Sequence, residues 1–185
     1  MRLEIRIAGT GGQGIVLAGK VLARAAALYD CLHVYQTELY GAQVRGGFSS
    51  TDLVISDQIV DYPGVLQPDL LVILSSLAYK RLISCKPKIV LTDEDINFST
   101  PYDSTVTIYL PLLKTAKRVG SEIALNMVAI GSLSALTACT RLDSLKSALK
   151  DLTTRFIELN LKALDEGWKL GNEWCERNAT LRVRW

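Results

Sequence analysis

This chain has few of the side chains that usually do chemistry. It has one histidine, His33, in 185 residues, which leaves no Ser–His–Asp or Cys–His grouping to propose. In Leu32-His33-Val34-Tyr35 that histidine reads as a structural residue of a strand. The four cysteines, Cys31, Cys85, Cys139 and Cys175, lie far apart and form no C-x-x-C pair. Thiolates that bind zinc or an iron–sulfur cluster come from closely spaced positions. No metal is therefore expected on this chain, and free buried thiols in a reducing cytoplasm are expected instead. The formal net charge is +2, with no basic run interleaved with aromatics, so no nucleic-acid surface is evident. No apolar run approaches the roughly 20 residues that span a bilayer. Met1-Arg2-Leu3-Glu4 passes directly into a strand pattern, so neither a membrane segment nor a signal peptide is expected.

What is present suits a well-cored single domain: 49% apolar and 22% charged residues. Strands are expected at Leu3–Ala8, Leu32–Gln36, Phe48–Ile55, Asp69–Leu74, Lys88–Thr92 and Thr105–Leu110. Gln58-Ile59-Val60 reads as a hairpin partner of the third. Helices are expected at Gln13–Leu28, Leu77–Ile83, Leu112–Val119, Ile123–Ala138, Leu142–Leu149 and Thr153–Glu173, with Thr37–Gly47 a loop. Strands alternating with helices predict an α/β, Rossmann-like domain. Its sheet is mostly parallel and flanked by helices, with a hairpin insertion and C-terminal helices. One domain over 1–174 and a tail over 175–185 are expected. The end Asn178–Trp185 is either frayed or an arm that docks on a partner.

The most informative motif is Gly9-Thr10-Gly11-Gly12-Gln13-Gly14, set between the first strand and the first helix. Such a turn aims free backbone N–H groups at one point and adds the positive end of a helix dipole, so it attracts phosphate or carboxylate. Ligands of such sheets bind beyond the carboxyl ends of the strands, where this loop sits. A second glycine cluster follows in Tyr40-Gly41-Ala42-Gln43-Val44-Arg45-Gly46-Gly47. Arg45 either adds a cation to the cradle or satisfies loop carbonyls. Asn126 either caps and orients its helix or faces the ligand crevice. Glu38 and Tyr40 read as loop organisers. A dinucleotide fold needs an acid at the end of the second strand. Asp30 precedes that strand and Glu38 follows it. A phosphate-loop nucleotidase needs Gly-Lys-Ser/Thr, and this chain has Gly14-Ile15-Val16.

Taken with Asp69, Asn126 and Asn160…Gly167, the two glycine clusters resemble the gamma subunit of 2-oxoacid:ferredoxin oxidoreductases, over Leu3 to about Trp174. The family's loop reads Tyr-Gly-x-Glu before Arg-Gly-Gly, and here Gln43 stands in the Glu position. The resemblance implies a subunit of an enzyme that oxidatively decarboxylates a 2-oxoacid to an acyl-coenzyme A and passes electrons to ferredoxin. It implies thiamine diphosphate and iron–sulfur clusters on partner subunits (alpha, beta and a ferredoxin-like chain), and coenzyme A as the ligand of the gamma domain. On that basis Gly9, Thr10, Gly11, Gly12, Gln13 and Gly14 form the expected cofactor-binding cradle, with Arg45 and Asn126 beside it and no catalytic residue. Pyruvate, 2-oxoglutarate, branched-chain 2-oxoacids and indolepyruvate all fit such an enzyme, and the unfused chain leans toward 2-oxoglutarate. No turnover is expected from this subunit alone. Two other readings stay open: a stand-alone nucleotide-binding oxidoreductase, and a structural subunit whose glycine loop only packs against a neighbour.

Overall fold

The computed structural model describes residues 2–40, 46–82, 85–96 and 105–178, with the backbone alone for Tyr40. Six strands form one sheet: β1 (Arg2–Thr10), β2 (His33–Tyr40), β3 (Phe48–Ser56), β4 (Leu70–Ile73), β5 (Ile89–Asp93) and β6 (Val106–Leu110). Their order is β2-β3-β1-β4-β5-β6. β3 runs antiparallel to both β1 and β2, whereas β1, β4, β5 and β6 pair in parallel. The expected α/β architecture with a mostly parallel sheet is the observed one.

Six helices follow the sequence pattern: α1 (Ile15–Arg24), α2 (Ser76–Leu82), α3 (Leu112–Val119), α4 (Leu125–Thr137), α5 (Leu142–Leu152) and α6 (Ile157–Arg177). The period of two in the strands divides them between two cores. Leu3, Ile5, Ile7, Leu70, Val72, Leu91 and Ile108 pack into the large cluster built with α1, α3, α4, α5 and α6. Ala8, Leu71, Ile73 and Val90 turn to the opposite face, into a small cluster with Phe48 and with Ala78 of α2. α4 is buried nearly all round, which requires a close neighbour on its far side. α6 supplies it: Gly167 approaches so closely that a Cβ would run into the Val128 backbone, and Ser132 Oγ donates to the Gly167 carbonyl at 2.9 Å.

Four local expectations need correction. Gln58-Ile59-Val60 is not a strand; the hairpin is β2–β3. The reason is that β1 and β2 already occupy both edges of β3 along its length. β2 extends through Tyr40, so the loop expected from Thr37 starts later, and Glu38 lies within the strand and pairs with Lys20 at 3.4 Å. The first helix changes to a π-helical turn over Ala25–Tyr29. The last helix starts at Ile157 rather than Thr153 and runs on to Arg177. Of the thiols expected to be buried, Cys139 and Cys175 are, but Cys85 is half-buried and Cys31 exposed. The burial of Cys139 pushes its thiol up to about 11. Most of the tail, 179–185, lies outside the described residues.

Candidate functional site

Gly9 and Thr10 are the last residues of β1, registered with Ser49 and Phe48 of β3. The chain then turns through Gly11–Gly14 into α1. Several groups of this loop are committed inside the protein. The Gly11 N–H donates to the Gly47 carbonyl at 2.7 Å, which brings the two glycine clusters together. The Gln13 N–H closes the turn on the Thr10 carbonyl at 3.1 Å. The Gln13 side chain is a brace: Oε1 accepts the Thr10 N–H at 2.7 Å, and Nε2 donates to the Leu74 carbonyl at 3.0 Å. Both functions of its amide are thereby used, so Gln13 shapes the cradle rather than reaching out of it.

The remaining donors of the loop and helix start are not committed in this way. The first bond of α1 runs from the Ala18 N–H to the Gly14 carbonyl at 3.0 Å. The N–H groups of Gly14, Ile15, Val16 and Leu17 precede it, and a helix start leaves four such donors without an internal acceptor. Among the described residues neither these nor the Gly12 N–H meets a backbone acceptor. Gly14 has φ 69° and begins α1 in the left-handed region. A Cβ there would also collide with Asn126 Nδ2. Asn126 is buried near the start of α4, where Nδ2 donates to the Gly14 carbonyl at 3.0 Å and Oδ1 accepts the Met127 N–H at 2.9 Å. It ties the start of α4 to the glycine loop and lines the groove beside it.

Gly12, Gly14, Leu17 and Asn126 form one side of a groove of about 310 Å³. On the other side, Thr153, Arg155 and Phe156 come from the turn before α6 and Asn160 from its first turn, and Ile123 borders the groove from the 3-10 turn before α4. The starts of α1, α4 and α6 thus open on one space. Among the described residues Arg155 supplies the one side-chain charge, and no carboxylate lines the groove. Its guanidinium lies over the Phe156 ring, 5.0 Å from the centroid. Helix-start donors, a cation and the absence of acid together suit an anion.

A larger cavity, about 460 Å³, lies between the end of β6 and α6. There Glu94, Glu166 and Glu173 are interspersed with Arg118, Lys169 and Arg177, and Arg118 pairs with Glu166 at 2.7 Å. Its charges balance, so it offers no comparable selectivity.

Of the residues expected at the site, Gly12, Gly14 and Asn126 meet in the groove, while Gly9, Thr10, Gly11 and Gln13 build the loop behind it. Arg45 lies outside the described residues. Asp69 sits at the amino end of the sheet, where Oδ2 accepts the Glu4 N–H and Oδ1 pairs with Lys88. Arg155 and Phe156 were not anticipated, because the apolar spacing carried the helix back to Thr153. The available signal was Thr153-Thr154 between two amphipathic stretches, since a threonine hydroxyl competes for local backbone N–H groups and favours a turn. Thr153 Oγ1 accepts the Arg155 N–H at 3.1 Å.

Among the described residues no three His, Cys, Asp or Glu side chains converge as a metal site would need. No described helix is long and apolar enough to cross a membrane.

A family model described as pyruvate ferredoxin/flavodoxin oxidoreductase matches residues 4–170. The chain is 40% identical over 179 residues to 2-oxoglutarate synthase subunit KorC of Methanocaldococcus jannaschii, covering 94% of this chain and 96% of that protein. It superposes with a TM-score of 0.78 and 34% identity on the gamma subunit of a keto/oxoacid ferredoxin oxidoreductase from Geobacter sulfurreducens PCA, covering 91% of this chain and 98% of that one. It also superposes, with a TM-score of 0.82 and 28% identity, on the 2-oxoglutarate:ferredoxin oxidoreductase of Magnetococcus marinus with 2-oxoglutarate, coenzyme A and succinyl-CoA bound. There the match covers 93% of this chain and 31% of the longer one.

Proposed function

The chain belongs to the pyruvate ferredoxin/flavodoxin oxidoreductase family, as a gamma subunit of a 2-oxoacid:ferredoxin oxidoreductase, and from that premise we propose that its share of the reaction is to hold coenzyme A in the groove between the glycine loop and α6. The observation that carries this is the set of N–H groups at Gly12 and Gly14–Leu17 that meet no backbone acceptor among the described residues, beside a crevice with no carboxylate among its described lining residues. Coenzyme A presents phosphates, and its binding to a protein of the same fold and family supports the choice. Asn126 holds the Gly14 carbonyl and Gln13 fixes the loop, so the loop is set before the ligand arrives. Such preorganisation lowers the ordering cost of binding.

Thiamine diphosphate and iron–sulfur clusters, on the alpha, beta and ferredoxin-like partner subunits, supply decarboxylation of the 2-oxoacid and electron transfer to ferredoxin. The protein's own contribution is to bind and orient the acyl acceptor. We take 2-oxoglutarate as the substrate of the complex, on the likeness to 2-oxoglutarate synthase subunits, and the cytoplasm as its compartment. Residues 1–174 then form the gamma-type domain, with the tail docking on a partner.

The dinucleotide alternative is disfavoured by the sheet. β3 stands between β1 and β2, so the end of β2 lies about 10 Å from that of β1 at the usual strand spacing, and Glu38 is paired with Lys20. The packing-loop alternative has one supporting observation, the internal commitment of Thr10, Gly11 and Gln13. Kinetics of the assembled enzyme separates it from coenzyme A binding. Gly12→Val should raise KM for coenzyme A about tenfold, as expected for the loss of one or two charge-assisted hydrogen bonds, and leave KM for the 2-oxoacid unchanged. An unchanged coenzyme A KM would reduce the loop to a packing element.

A further inference from the structure

We propose that Arg155, seated on the ring of Phe156, reads a phosphomonoester on the ligand of the groove, so that the subunit distinguishes coenzyme A from its 3′-dephospho form. The proposal rests on the coenzyme A reading above and assigns a specificity to one side of that site.

Among the described residues the guanidinium is the only side-chain cation lining the groove. Among the described residues it has no carboxylate partner, whereas Arg6, Arg118 and Arg141 are each paired with one. It lies on the face of Phe156. A guanidinium held by its flat face keeps its five N–H donors in the plane, free to fork onto oxygens. The backbone beneath is fixed on both sides. Thr153 Oγ1 accepts the Arg155 N–H at 3.1 Å, and Asn160, 6% exposed, donates from Nδ2 to the Arg155 carbonyl at 3.4 Å.

Phe156 has φ 54° and is 48% exposed. A bulky residue in the left-handed region is uncommon and strained, and this one gains little burial in return. Its position is accounted for by the cation it carries. Asn126 and Asn160, both more than nine-tenths buried, line the same groove from facing elements. It is therefore a built site with walls on both sides.

The two sides offer different chemistry. Backbone N–H groups at the start of α1 are single donors fixed in a row, which suits the singly charged oxygens of a diphosphate. A planar fork suits a terminal phosphate with two charges and three oxygens. At about 310 Å³ the groove is at the small end of ligand sites. It therefore takes one phosphorylated end of a long carrier rather than its full length.

The test is steady-state kinetics of the native complex with coenzyme A and with 3′-dephospho-coenzyme A as acyl acceptors. The wild-type enzyme should show a KM about tenfold higher for the dephospho form, the size expected for one charge-assisted bidentate contact. Arg155→Ala should raise KM for coenzyme A toward that value, leave KM for the dephospho form where it was, and act on KM rather than kcat. Phe156→Ala should lose part of the discrimination and Phe156→Tyr should keep it. Equal KM values for the two acceptors in the wild type, or an equal loss for both in Arg155→Ala, would overturn the assignment. Gly12→Val separates the two levels. A rise for both acceptors there keeps the coenzyme A site whatever Arg155 does. No change for either acceptor in both Gly12→Val and Arg155→Ala removes the site itself, and this assignment with it.

Discussion

The starts of the long helices fall into two groups, closed and open. At α3 the Leu113 N–H donates to the Asp93 carboxylate at 2.6 Å. At α5 the Arg141 N–H and the hydroxyls of Thr140 and Ser144 all donate to Asp30, brought from the end of the π-helical turn. Each of these starts carries a protein anion, which satisfies its orphan donors and its dipole together. Among the described residues no backbone N–H at the starts of α1, α4 and α6 donates to a carboxylate, and all three starts border one groove. A helix start without an internal anion retains its affinity for an external one. The two groups lie in one small domain, so the open set reflects where carboxylates stand rather than any shortage of them.

The largest effect should come from the open start of α1. Gly14→Ala must force a Cβ against Asn126 and hold a left-handed backbone. Clash and strain together should cost about 2–4 kcal/mol, read as a lower urea midpoint of the chain. Gly12 also has positive φ, but nothing lies within 4 Å of where its Cβ would stand. Gly12→Ala should therefore cost only about 1 kcal/mol, the backbone term by itself. Equal losses at both positions would mean that Asn126 is not packed where it is described.

Next comes the closed start of α5. Asp30→Ala leaves two hydroxyls and the Arg141 donors without their acceptor, a loss of about 2 kcal/mol. Burial pushes the Asp30 carboxyl up, but the hydrogen bonds from Thr140, Ser144 and Arg141 outweigh it and hold its pKa below the ordinary value. A carboxylate lowered on folding stabilises the protein above its unfolded value, about 3.9. That contribution fades as the pH falls from there through the folded value. The wild-type chain should accordingly lose stability below about pH 4, and the Asp30→Ala chain should lose less over the same range. Parallel acid limbs would show that Asp30 does not couple to folding.

The two groups were unequally legible in the sequence. α1 was readable because its solution is written in glycine, and only glycine combines left-handed φ with so close a neighbour. The strand alternation that places Leu3, Ile5 and Ile7 on one face was readable for a similar reason, since a local rule fixes it. Asp30 and Asp93 close their helices from far along the chain, and no local pattern couples Asp30 to Ser144. The open start of α6 depends on a turn in which Thr153 and Asn160 override an amphipathic period continuous across it. The β2–β3 hairpin was half legible: the β-branched run announced β3, but its partner was set by which edge the sheet left free.

Closing an open start should cost ligand rather than fold. Ile123 borders the groove and is 61% exposed, so Ile123→Glu introduces a carboxylate without disturbing the core. KM for coenzyme A in the assembled enzyme should rise about tenfold, the scale of one like-charge juxtaposition at a binding surface, with the urea midpoint of the chain unchanged. Added salt should narrow the difference, because a half-exposed charge is screened. A coenzyme A KM indifferent to Ile123→Glu at low salt would mean that the open starts do not act as an anion site.

Phe156 should affect stability far less than Gly14, and it separates strain kept for the fold from strain kept for a ligand. Glycine adopts the left-handed region freely, so Phe156→Gly relieves about 1 kcal/mol. It also loses the partial burial of the ring and gains unfolded-chain entropy, terms of similar size and opposite sign. The net change in stability should lie within about 1 kcal/mol of zero, in contrast to Gly14→Ala. If the two helix starts were alike, Phe156→Gly would instead destabilise as strongly as Gly14→Ala, and the ring would be a packing element of α6. With stability held and the preference for coenzyme A over its dephospho form lost, the aromatic is there to seat Arg155. The strain at φ 54° then belongs to recognition rather than to folding.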